Sequence, residues 1–291
     1  MLKWSRIKPK GTLITMSFKI VSDSSADLLK VDKVDFESVP LKIITDEHEY
    51  VDDGELDVAA MLSDLSKYNG KSKSSCPNSE EFLRAFGDAD NVFCITITSG
   101  LSGSFNAASV AARTYMEEHP ERRVHLIDSL STGAENALLI EKIASLISEG
   151  CDYDTVVDKI TEYHSHTRLI FALESMHNLS RNGRVSPIVA KLCGVLGIRI
   201  VGRASEVGTL EIIEKSRGER AMLADIVKNM KGDGWKGGKV RIHHASNPET
   251  ASLLREKILA EHPTASVEVA PARGLCSFYA ESRGLLVGFE V

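Results

Sequence analysis

The sequence predicts an α/β protein in which an N-terminal domain built on a parallel sheet precedes a C-terminal α+β domain. In the first half, short apolar runs rich in β-forming residues alternate with segments of helical period, which is the pattern of a parallel sheet flanked by helices. In the second half, strand-like pairs around glycine-containing turns are mixed with helices. The 291 residues, 43% of them hydrophobic, suffice for one large domain or two of ordinary size.

Strands and helices alternate in the first half. The predicted strands are Phe18–Val21, Val39–Ile44, Val92–Thr98 and Val124–Ile127, and the predicted helices are Val58–Leu65, Phe105–Met116 and Ala134–Ser148. In the first of these helices Val58, Met61 and Leu62 fall on one stripe, and Gly150 ends the last helix. Asn78, with Glu81 three residues later, predicts the capped start of a further helix.

The second half has a different order. Its predicted strands are Leu169–Leu173, Ile198–Val201, Thr209–Ile213, Val240–His243, Val267–Val269 and Leu285–Phe289, and its predicted helices are Pro187–Leu196, Ala221–Met230 and Thr250–Ala260. Residues 1–16 are predicted to be an extension or a misplaced start, because the first convincing strand follows Met16. We assign residues 17–165 to the N-terminal domain and 166–291 to the C-terminal domain, with the boundary in the polar stretch Glu162–Thr167. His164 and His166 lie in this stretch and are predicted to be on the surface.

The composition argues against several classes of function. The net charge of −6 gives no general electrostatic attraction to nucleic acid or to an anionic membrane. No apolar run approaches the roughly 20 residues of a membrane helix. The five cysteines have no zinc-type spacing and are predicted to be free thiols, which suggests a reducing cytoplasm. No cluster of His, Cys and carboxylate residues has the spacing of metal ligands.

Three polar loops in the first half are candidates for a binding site. They are Ser22–Ser25, Ser72–Pro77 and Thr98–Ser104. Loops at the carboxyl ends of parallel strands meet at one edge of the sheet, and a Ser/Gly loop before a helix offers hydroxyls and backbone N–H groups to an anion. Helix capping is the better explanation for the serines of any single loop, but two such loops at one edge favour an anion site. Because Thr98–Ser104 contains no cation, a carboxylate fits this loop better than a polyphosphate.

A serine-dependent hydrolase of a small acyl ester is the alternative. His243, at the end of a predicted strand, would be its base, although a strand-end histidine with its hydrogen bonds satisfied is the better explanation of the residue. The nucleophile motif G-x-S-x-G does not occur in the sequence.

Six motifs in order resemble those of the DegV family. FKIVSDSSADL at Phe18–Leu28 resembles its opening strand and Asp-Ser turn, and VPLKIITDEHEYVDD at Val39–Asp53 the stretch after it. SSCPN at residues 74–78 stands where the family has Thr-Ser-Gln-Pro-Ser, and TSGLSGSF at Thr98–Phe105 resembles Ser-Ser-Gly-Leu-Ser-Gly-Thr-Tyr. VHLIDS at Val124–Ser129 and LSRNGRVS at Leu179–Ser186 also match.

The resemblance implies a two-domain fold that buries a long-chain fatty acid between the domains. It also implies a non-catalytic role without a cofactor in the bacterial cytoplasm. There the protein presents the fatty acid to a separate fatty acid kinase, which makes an acyl phosphate for phospholipid synthesis. The short apolar segment Ile188–Leu196, with Met61 and Leu62, would line the tunnel for the acyl chain or belong to an ordinary core.

The resemblance also implies the ligand-binding residues. Ser74 aligns with a carboxylate-binding threonine of the family, and Ser75 follows it in the same motif. Ser102 aligns with a serine of the Ser-Gly-Thr step, with Ser99 and Gly103 on the same loop, and Arg184 aligns with a family arginine. Near the C-terminus the family often has Gly-Thr-His before a Gly-Pro-Gly turn. This chain has CSFYAE at residues 276–281, so that Tyr279 or Ala280 replaces the histidine.

Overall fold

The computed structural model describes residues 4–7, 13–190 and 197–291. The strands within these residues are β1 Trp4–Ile7, β2 Leu13–Met16, β3 Phe18–Asp23, β4 Asp35–Val39, β5 Lys42–Ile44, β6 Glu49–Val51, β7 Lys73–Ser75, β8 Asn91–Thr96, β9 Arg123–Asp128, β10 Thr167–Leu173, β11 Ile198–Ala204, β12 Leu210–Arg217, β13 Val240–His244, β14 Val267–Pro271 and β15 Leu285–Glu290. The helices are α1 Val58–Lys67, α2 Ser79–Phe86, α3 Ser104–Glu118, α4 Ala134–Ser148, α5 Tyr153–Ser165, α6 His177–Arg181, α7 Pro187–Ala190, α8 Glu219–Gly232, α9 Pro248–Glu261 and α10 Gly274–Ala280, and a short 3₁₀ helix spans Ser24–Ala26.

The predicted parallel sheet is present in the N-terminal half. Four parallel strands lie in the order β4-β3-β8-β9, which we call the N-terminal sheet. Every residue of β8 is buried, as expected for a strand covered on both faces. Helices α2 and α3 pack on one face, and α4 and α5 on the other. Asn78 and Glu81 form the predicted capping box at the start of α2.

A second, smaller sheet carries one of the predicted polar loops. The single predicted strand Val39–Ile44 is wrong, because Pro40 separates β4 in the N-terminal sheet from β5 in a three-stranded antiparallel sheet of order β6-β5-β7. Proline has no N–H to donate to a ladder. The predicted loop Ser72–Pro77 contains β7, which pairs Ser74 with Ile43 of β5. A polar strand of three residues gives no apolar alternation from which to recognise it.

The C-terminal half forms a mixed six-stranded sheet in the order β12-β11-β10-β15-β13-β14, which we call the C-terminal sheet. Only β13 and β14 are parallel among its described neighbours, and this arrangement confirms the predicted α+β character. Helices α8 and α9 cover one face. The sequence analysis did not predict α5, α6 or α10, and α5 occupies most of the predicted polar boundary stretch.

Helix α4 contacts both sheets. It packs against β3 and β8 on one side and against β10, β13 and β15 on the other, so that most of its residues are buried. A side chain at Gly288 of β15 would place its Cβ 2.6 Å from the backbone of Ala134 and Glu135, and glycine therefore admits the start of α4 onto the sheet. The division into domains at residue 165 remains a prediction.

The N-terminal segment contains two paired strands. Strand β1 pairs with β2 in antiparallel register, and this sheet includes no other described strand. Its status as an extension remains a prediction. Of the predicted helix Pro187–Leu196 the structure describes α7, and residues 191–196 lie outside the described ranges.

Candidate functional site

An apolar cavity lies between the two sheets. Its empty space, with the solvent at its mouth included, is about 810 Å³. Leu41, Ile97, Leu101 and Leu130 contribute to its walls from the N-terminal half, and Leu169, Phe171, Leu173, Leu210 and Leu286 from the C-terminal sheet. The three residues on β10 alternate along the strand and therefore face the cavity together. A concave space with mainly apolar walls and a few polar groups is typical of a small-molecule site.

Polar side chains gather at one part of the cavity, which we call the polar end and define by Ser74, Ser102, Arg184 and Tyr279. The hydroxyl oxygens of Ser74 and Tyr279 lie 2.7 Å apart, so one of them donates a hydrogen bond to the other. The guanidinium carbon of Arg184 lies 5.8 Å from the centre of the Tyr279 ring, and its Nε donates to the Leu101 carbonyl at 3.3 Å. These contacts join β7, α10 and the loop before α3.

Local structure places the hydroxyl of Ser102 at this end. Its Oγ accepts a hydrogen bond from the backbone N–H of Ser104 at 3.2 Å and lies 3.1 Å from the Ser104 hydroxyl. These atoms belong to the first turn of α3, where backbone donors need partners from outside the helix. Burial raises the pKa of Tyr279, while the Ser74 hydrogen bond and Arg184 oppose the shift. The phenol is therefore a neutral donor at neutral pH.

The three other predicted ligand-binding residues lie outside the cavity walls. Ser75 is exposed, because successive side chains of a strand point to opposite faces and Ser74 points inward. Ser99 is also exposed, and its N–H donates to Asp128 at 3.0 Å. Gly103 faces the thiol of Cys76, and a Cβ at this glycine would lie 3.1 Å from the sulfur. A role for these three in ligand binding remains a prediction.

Comparison with known proteins gives the family. The sequence model of the DegV family, described as an uncharacterised protein family, matches residues 17–289. A DegV domain-containing protein of Streptococcus gordonii is 40% identical over 280 residues, which cover 95% of this chain and 100% of the relative. The chain belongs to the DegV family.

Two solved DegV structures resemble this protein along nearly its whole length. A DegV family protein from Eubacterium eligens, loaded with heptadecanoic acid, is 41% identical, has a TM-score of 0.92, and aligns over 94% of this chain and 100% of its own. The fatty acid kinase (Fak) B3 protein of Streptococcus pneumoniae, loaded with linoleic acid, is 40% identical, has a TM-score of 0.93, and aligns over 95% and 100%.

The first polar loop of this DegV protein, Ser22–Ser25, is hydrogen-bonded to the end of β8 beside the cavity. Asp23 is fully buried, and its carboxylate accepts hydrogen bonds from the Ser25 hydroxyl at 2.5 Å and from the Ile97 N–H at 3.0 Å. Burial raises the pKa of Asp23 to about 6, although these hydrogen bonds oppose the shift. Asp23 thus ties the first loop to the end of β8, just before the loop that carries Ser102.

Sequence reasoning missed the loop after β9. Ser131 and Thr132 line the cavity there, and Thr98 does so at the end of the neighbouring strand. The rule that ligands bind at the carboxyl ends of parallel strands applies to β9 as well as to β3 and β8, and it would have identified this loop.

His243, the candidate base of a hydrolase, lies elsewhere. It is 1% exposed, and its Nδ1 lies 2.9 Å from the Asp27 carboxylate. Among the described residues, no histidine lines the cavity. His164, predicted to be on the surface, is half-buried, and its Nε2 lies 2.9 Å from the Ser129 carbonyl.

The apolar residues suggested for the tunnel divide between two places. Met61 and Leu62 pack with Ile43 and Phe278 in another core cluster. Ile188 is 78% exposed, but Val189 and Ala190 pack against the cluster that includes cavity-lining Leu169 and Phe171, and residues 191–196 lie outside the described ranges, so that a role of this segment in the tunnel remains a prediction.

Cys76, Cys94, Cys151 and Cys276 are free thiols, and Cys193 lies outside the described residues. No group of His, Cys, Asp and Glu in the described part is arranged to hold a metal ion. In the same part, no helix has both the length and the apolar character to cross a membrane.

Proposed function

We propose that this protein binds a long-chain fatty acid in the cavity, with its carboxylate at the polar end. The observation that carries the proposal is that hydroxyls and one guanidinium line a cavity with mainly apolar walls, and that Ser74, Tyr279 and Arg184 lie close together at one end. One cation with several neutral donors suits a single negative charge. The fatty acids held by the E. eligens and S. pneumoniae relatives support the same class of ligand.

The acyl chain supplies most of the affinity in this proposal. Burial of each methylene contributes about 0.8 kcal/mol, so a chain of roughly 16 carbons contributes on the order of 10 kcal/mol before the cost of ordering it. A hydrogen bond to a charged group contributes about 1.5–3 kcal/mol, and the polar end therefore fixes the orientation of the ligand more than its affinity.

The protein acts as a carrier without chemistry of its own in this proposal. It presents the carboxylate to a separate fatty acid kinase in the bacterial cytoplasm, and the kinase forms the acyl phosphate. The name of the S. pneumoniae relative supports such a partner. The polar end lies next to exposed residues, among them Ser75, Ser99 and Gly100, which is where a partner has access to the head group.

Extraction of the purified protein with organic solvent, followed by mass spectrometry, tests the ligand. We expect a fatty acid of long chain in near-equal amount to the protein. A stoichiometric phosphorylated ligand contradicts the proposal. So does the absence of any fatty acid after incubation with oleate and palmitate.

Paired serine variants test the position of the carboxylate. We expect Ser74→Ala and Ser102→Ala each to weaken oleate binding about tenfold, because each removes a hydrogen bond to a charged group. Ser66→Ala, at an exposed serine of α1 outside the cavity walls, is the matched comparison, and a surface substitution of this kind should change affinity less than about twofold. Equal affinities in all three variants would place the carboxylate elsewhere.

An activity assay separates the carrier from the hydrolase. We expect no turnover of a p-nitrophenyl ester or of ATP by this protein alone. We expect acyl phosphate to form when the kinase of a relative and ATP are added to the oleate-loaded protein. Ester turnover that Ser102→Ala abolishes would replace the carrier with an enzyme.

A further inference from the structure

Helix α10 brings Tyr279 to the polar end, and its position depends on contacts made at its first turn. Four of its residues line the cavity: Leu275, Cys276, Tyr279 and Ala280. The residue before the helix, Arg273, gives no side-chain cap to the free N–H groups of the first turn. These donors therefore need acceptors from elsewhere in the chain.

Two carboxylates from the N-terminal half accept these hydrogen bonds. Asp52 accepts from the N–H of Gly274 at 2.8 Å with one oxygen and from the N–H of Leu275 at 2.9 Å with the other. Asp27 accepts from the N–H of Arg273 at 2.7 Å. The side chains of both aspartates are 0% exposed. A negative charge at a helix N-terminus is also favoured by the helix dipole.

Asp52 packs so closely against the start of α10 that position 274 has no room for a side chain. A Cβ at Gly274 would lie 2.7 Å from Oδ1 of Asp52 and 2.6 Å from Cδ2 of Leu56. The carboxylate thus occupies the space that any other residue at position 274 would need.

Other contacts fix the Asp27 carboxylate and the C-terminal end of α10. The second oxygen of Asp27 lies 2.9 Å from Nδ1 of His243 on β13. The side-chain amide of Asn178 on α6 donates to the Phe278 carbonyl at 2.8 Å. Helix α10 is therefore held at both ends, and its start is held from the opposite half of the molecule.

We propose that Asp52 and Asp27 are positioning residues for the carboxylate site, which hold α10 so that the Tyr279 hydroxyl meets Ser74 and the ligand. This inference rests on the proposed function. Asp52 contributes through α10 and touches no cavity space itself, since it is absent from the residues that line the cavity.

The test compares Asp52→Asn with wild type for two ligands, oleate and oleyl alcohol. An amide keeps one acceptor oxygen and turns its NH₂ toward the second N–H group, so α10 loses one hydrogen bond. We expect the ratio of oleate affinity to oleyl alcohol affinity to fall about tenfold, as for loss of a hydrogen bond to a charged group. General loosening of the fold would weaken both ligands equally and leave the ratio unchanged.

A double-variant cycle shows whether the effect passes through Tyr279. We expect Tyr279→Phe to lower the ratio by a similar factor, and Asp52→Asn added to it to lower the ratio no further. The matched control is Asp57→Asn, because Asp57 caps the neighbouring helix α1 by accepting from the Ala60 N–H at 2.9 Å and is exposed. An unchanged ratio in Asp52→Asn, or additive effects in the cycle, would overturn the positioning role.

Hydrogen exchange provides a readout that needs no change at Asp52. If Asp52→Asn does not fold, exchange of the amides at residues 273–280 is measured in wild type and Tyr279→Phe, with and without oleate. We expect oleate to slow exchange in this segment in wild type and much less in Tyr279→Phe. Equal protection in the two proteins contradicts the positioning role, whereas a wild-type protein that binds no oleate contradicts the proposed function as well.

Discussion

Tyr279 stands where the family resemblance implies a histidine, and its phenol contacts Ser74 at 2.7 Å. A histidine changes charge near pH 6.5, whereas burial raises the pKa of Tyr279 above its usual value near 10. The Tyr279 phenol therefore keeps one charge state across the physiological range. Ala280, the other residue that replaces the histidine in the alternative alignment, lines the cavity but has no polar side chain.

This difference predicts how binding depends on pH. We expect oleate affinity to vary little between about pH 5.5 and 8, the range in which an imidazole titrates. We expect Tyr279→Phe to weaken binding about tenfold across that range, because the variant lacks the hydroxyl donor. Isothermal titration at several pH values checks both expectations. A wild-type step near pH 6.5, or unchanged affinity in Tyr279→Phe, would remove Tyr279 from the site.

Asp23 predicts a separate effect of pH on stability. Burial raises its pKa from 3.8 to about 6 in the folded state, so the folded protein holds this proton more tightly than the unfolded chain. The contribution of Asp23 to stability is therefore full below about pH 4 and is lost as the pH rises through 6. A shift of this size corresponds to about 3 kcal/mol.

Urea unfolding of wild type and Asp23→Asn measures this effect, since the amide does not titrate. We expect the free energy of unfolding of wild type, relative to the variant, to fall by up to about 3 kcal/mol between about pH 4 and 7. Parallel pH profiles for the two proteins would show that Asp23 has the same pKa in both states.

At the scale of elements, the turn between β11 and β12 closes the cavity from the C-terminal side. Gly208 in this turn has a φ of +71°, and a Cβ there would lie 1.9 Å from Oγ1 of Thr98 and 3.0 Å from Cα of Leu130. The turn therefore packs directly against loops that follow two strands of the N-terminal sheet. Gly208, Thr98 and Leu130 all line the cavity.

Gly208→Ala should separate the turn from these loops. We expect it to cost about 1–2 kcal/mol for the left-handed backbone and about 1–3 kcal/mol more for the steric overlap, and to weaken oleate binding. Gly183→Ala is the matched control, because Gly183 has a φ of +73° but nothing within 4 Å of its Cβ position. Chemical denaturation measures the loss of unfolding free energy in both variants, and the difference between the two losses is the steric contribution. Equal losses of stability would mean that the turn moves away freely.

Strands and helices with a clear apolar periodicity can be predicted from the sequence. Elements that depend on contacts with residues far away in the chain cannot. Strand β8 and helix α4 follow from continuous or helical apolar patterns. Helix α10 begins with glycine, a poor helix former, and has its N-terminal acceptors more than 200 residues away in sequence, as the separation of 222 between Asp52 and Gly274 shows. Local propensity contains no information about such contacts.

The candidate site could likewise be predicted only as far as local sequence determines it. Motifs identified the segments that carry Ser74 and Ser102, and the structure brings both to one cavity. Ser75 differs from Ser74 only in the face of β7 on which it lies, and that face depends on the pairing of β7 with β5. A register on a polar strand cannot be read from its own residues.

At the scale of the whole molecule, the cavity has walls from both sheets, so a ligand bound there links the two halves. Helix α4 already packs against both. A ligand that binds only the folded protein adds RT ln(1 + [L]/Kd) to its stability, which is about 2.7 kcal/mol at 100 times Kd.

Thermal unfolding with added oleate tests this linkage. Since each kcal/mol raises Tm by about 2–4 °C in proteins of similar or smaller size, we expect a rise of roughly 5–10 °C at saturating oleate. Ser74→Ala should show a smaller rise at the same concentration, because its affinity is lower. A Tm that does not respond to oleate would mean that the ligand binds the folded and unfolded chains equally or not at all.

The contact of Asp52 with Gly274 also bears on how the family diverges. The carboxylate occupies the space of a side chain at position 274, so this position accepts no larger residue while Asp52 stays. A larger residue at 274 requires a shorter one at 52, and the lost acceptors then need replacement from elsewhere. Across relatives we therefore expect these two positions to covary, as a coupled pair of alignment columns far apart in sequence.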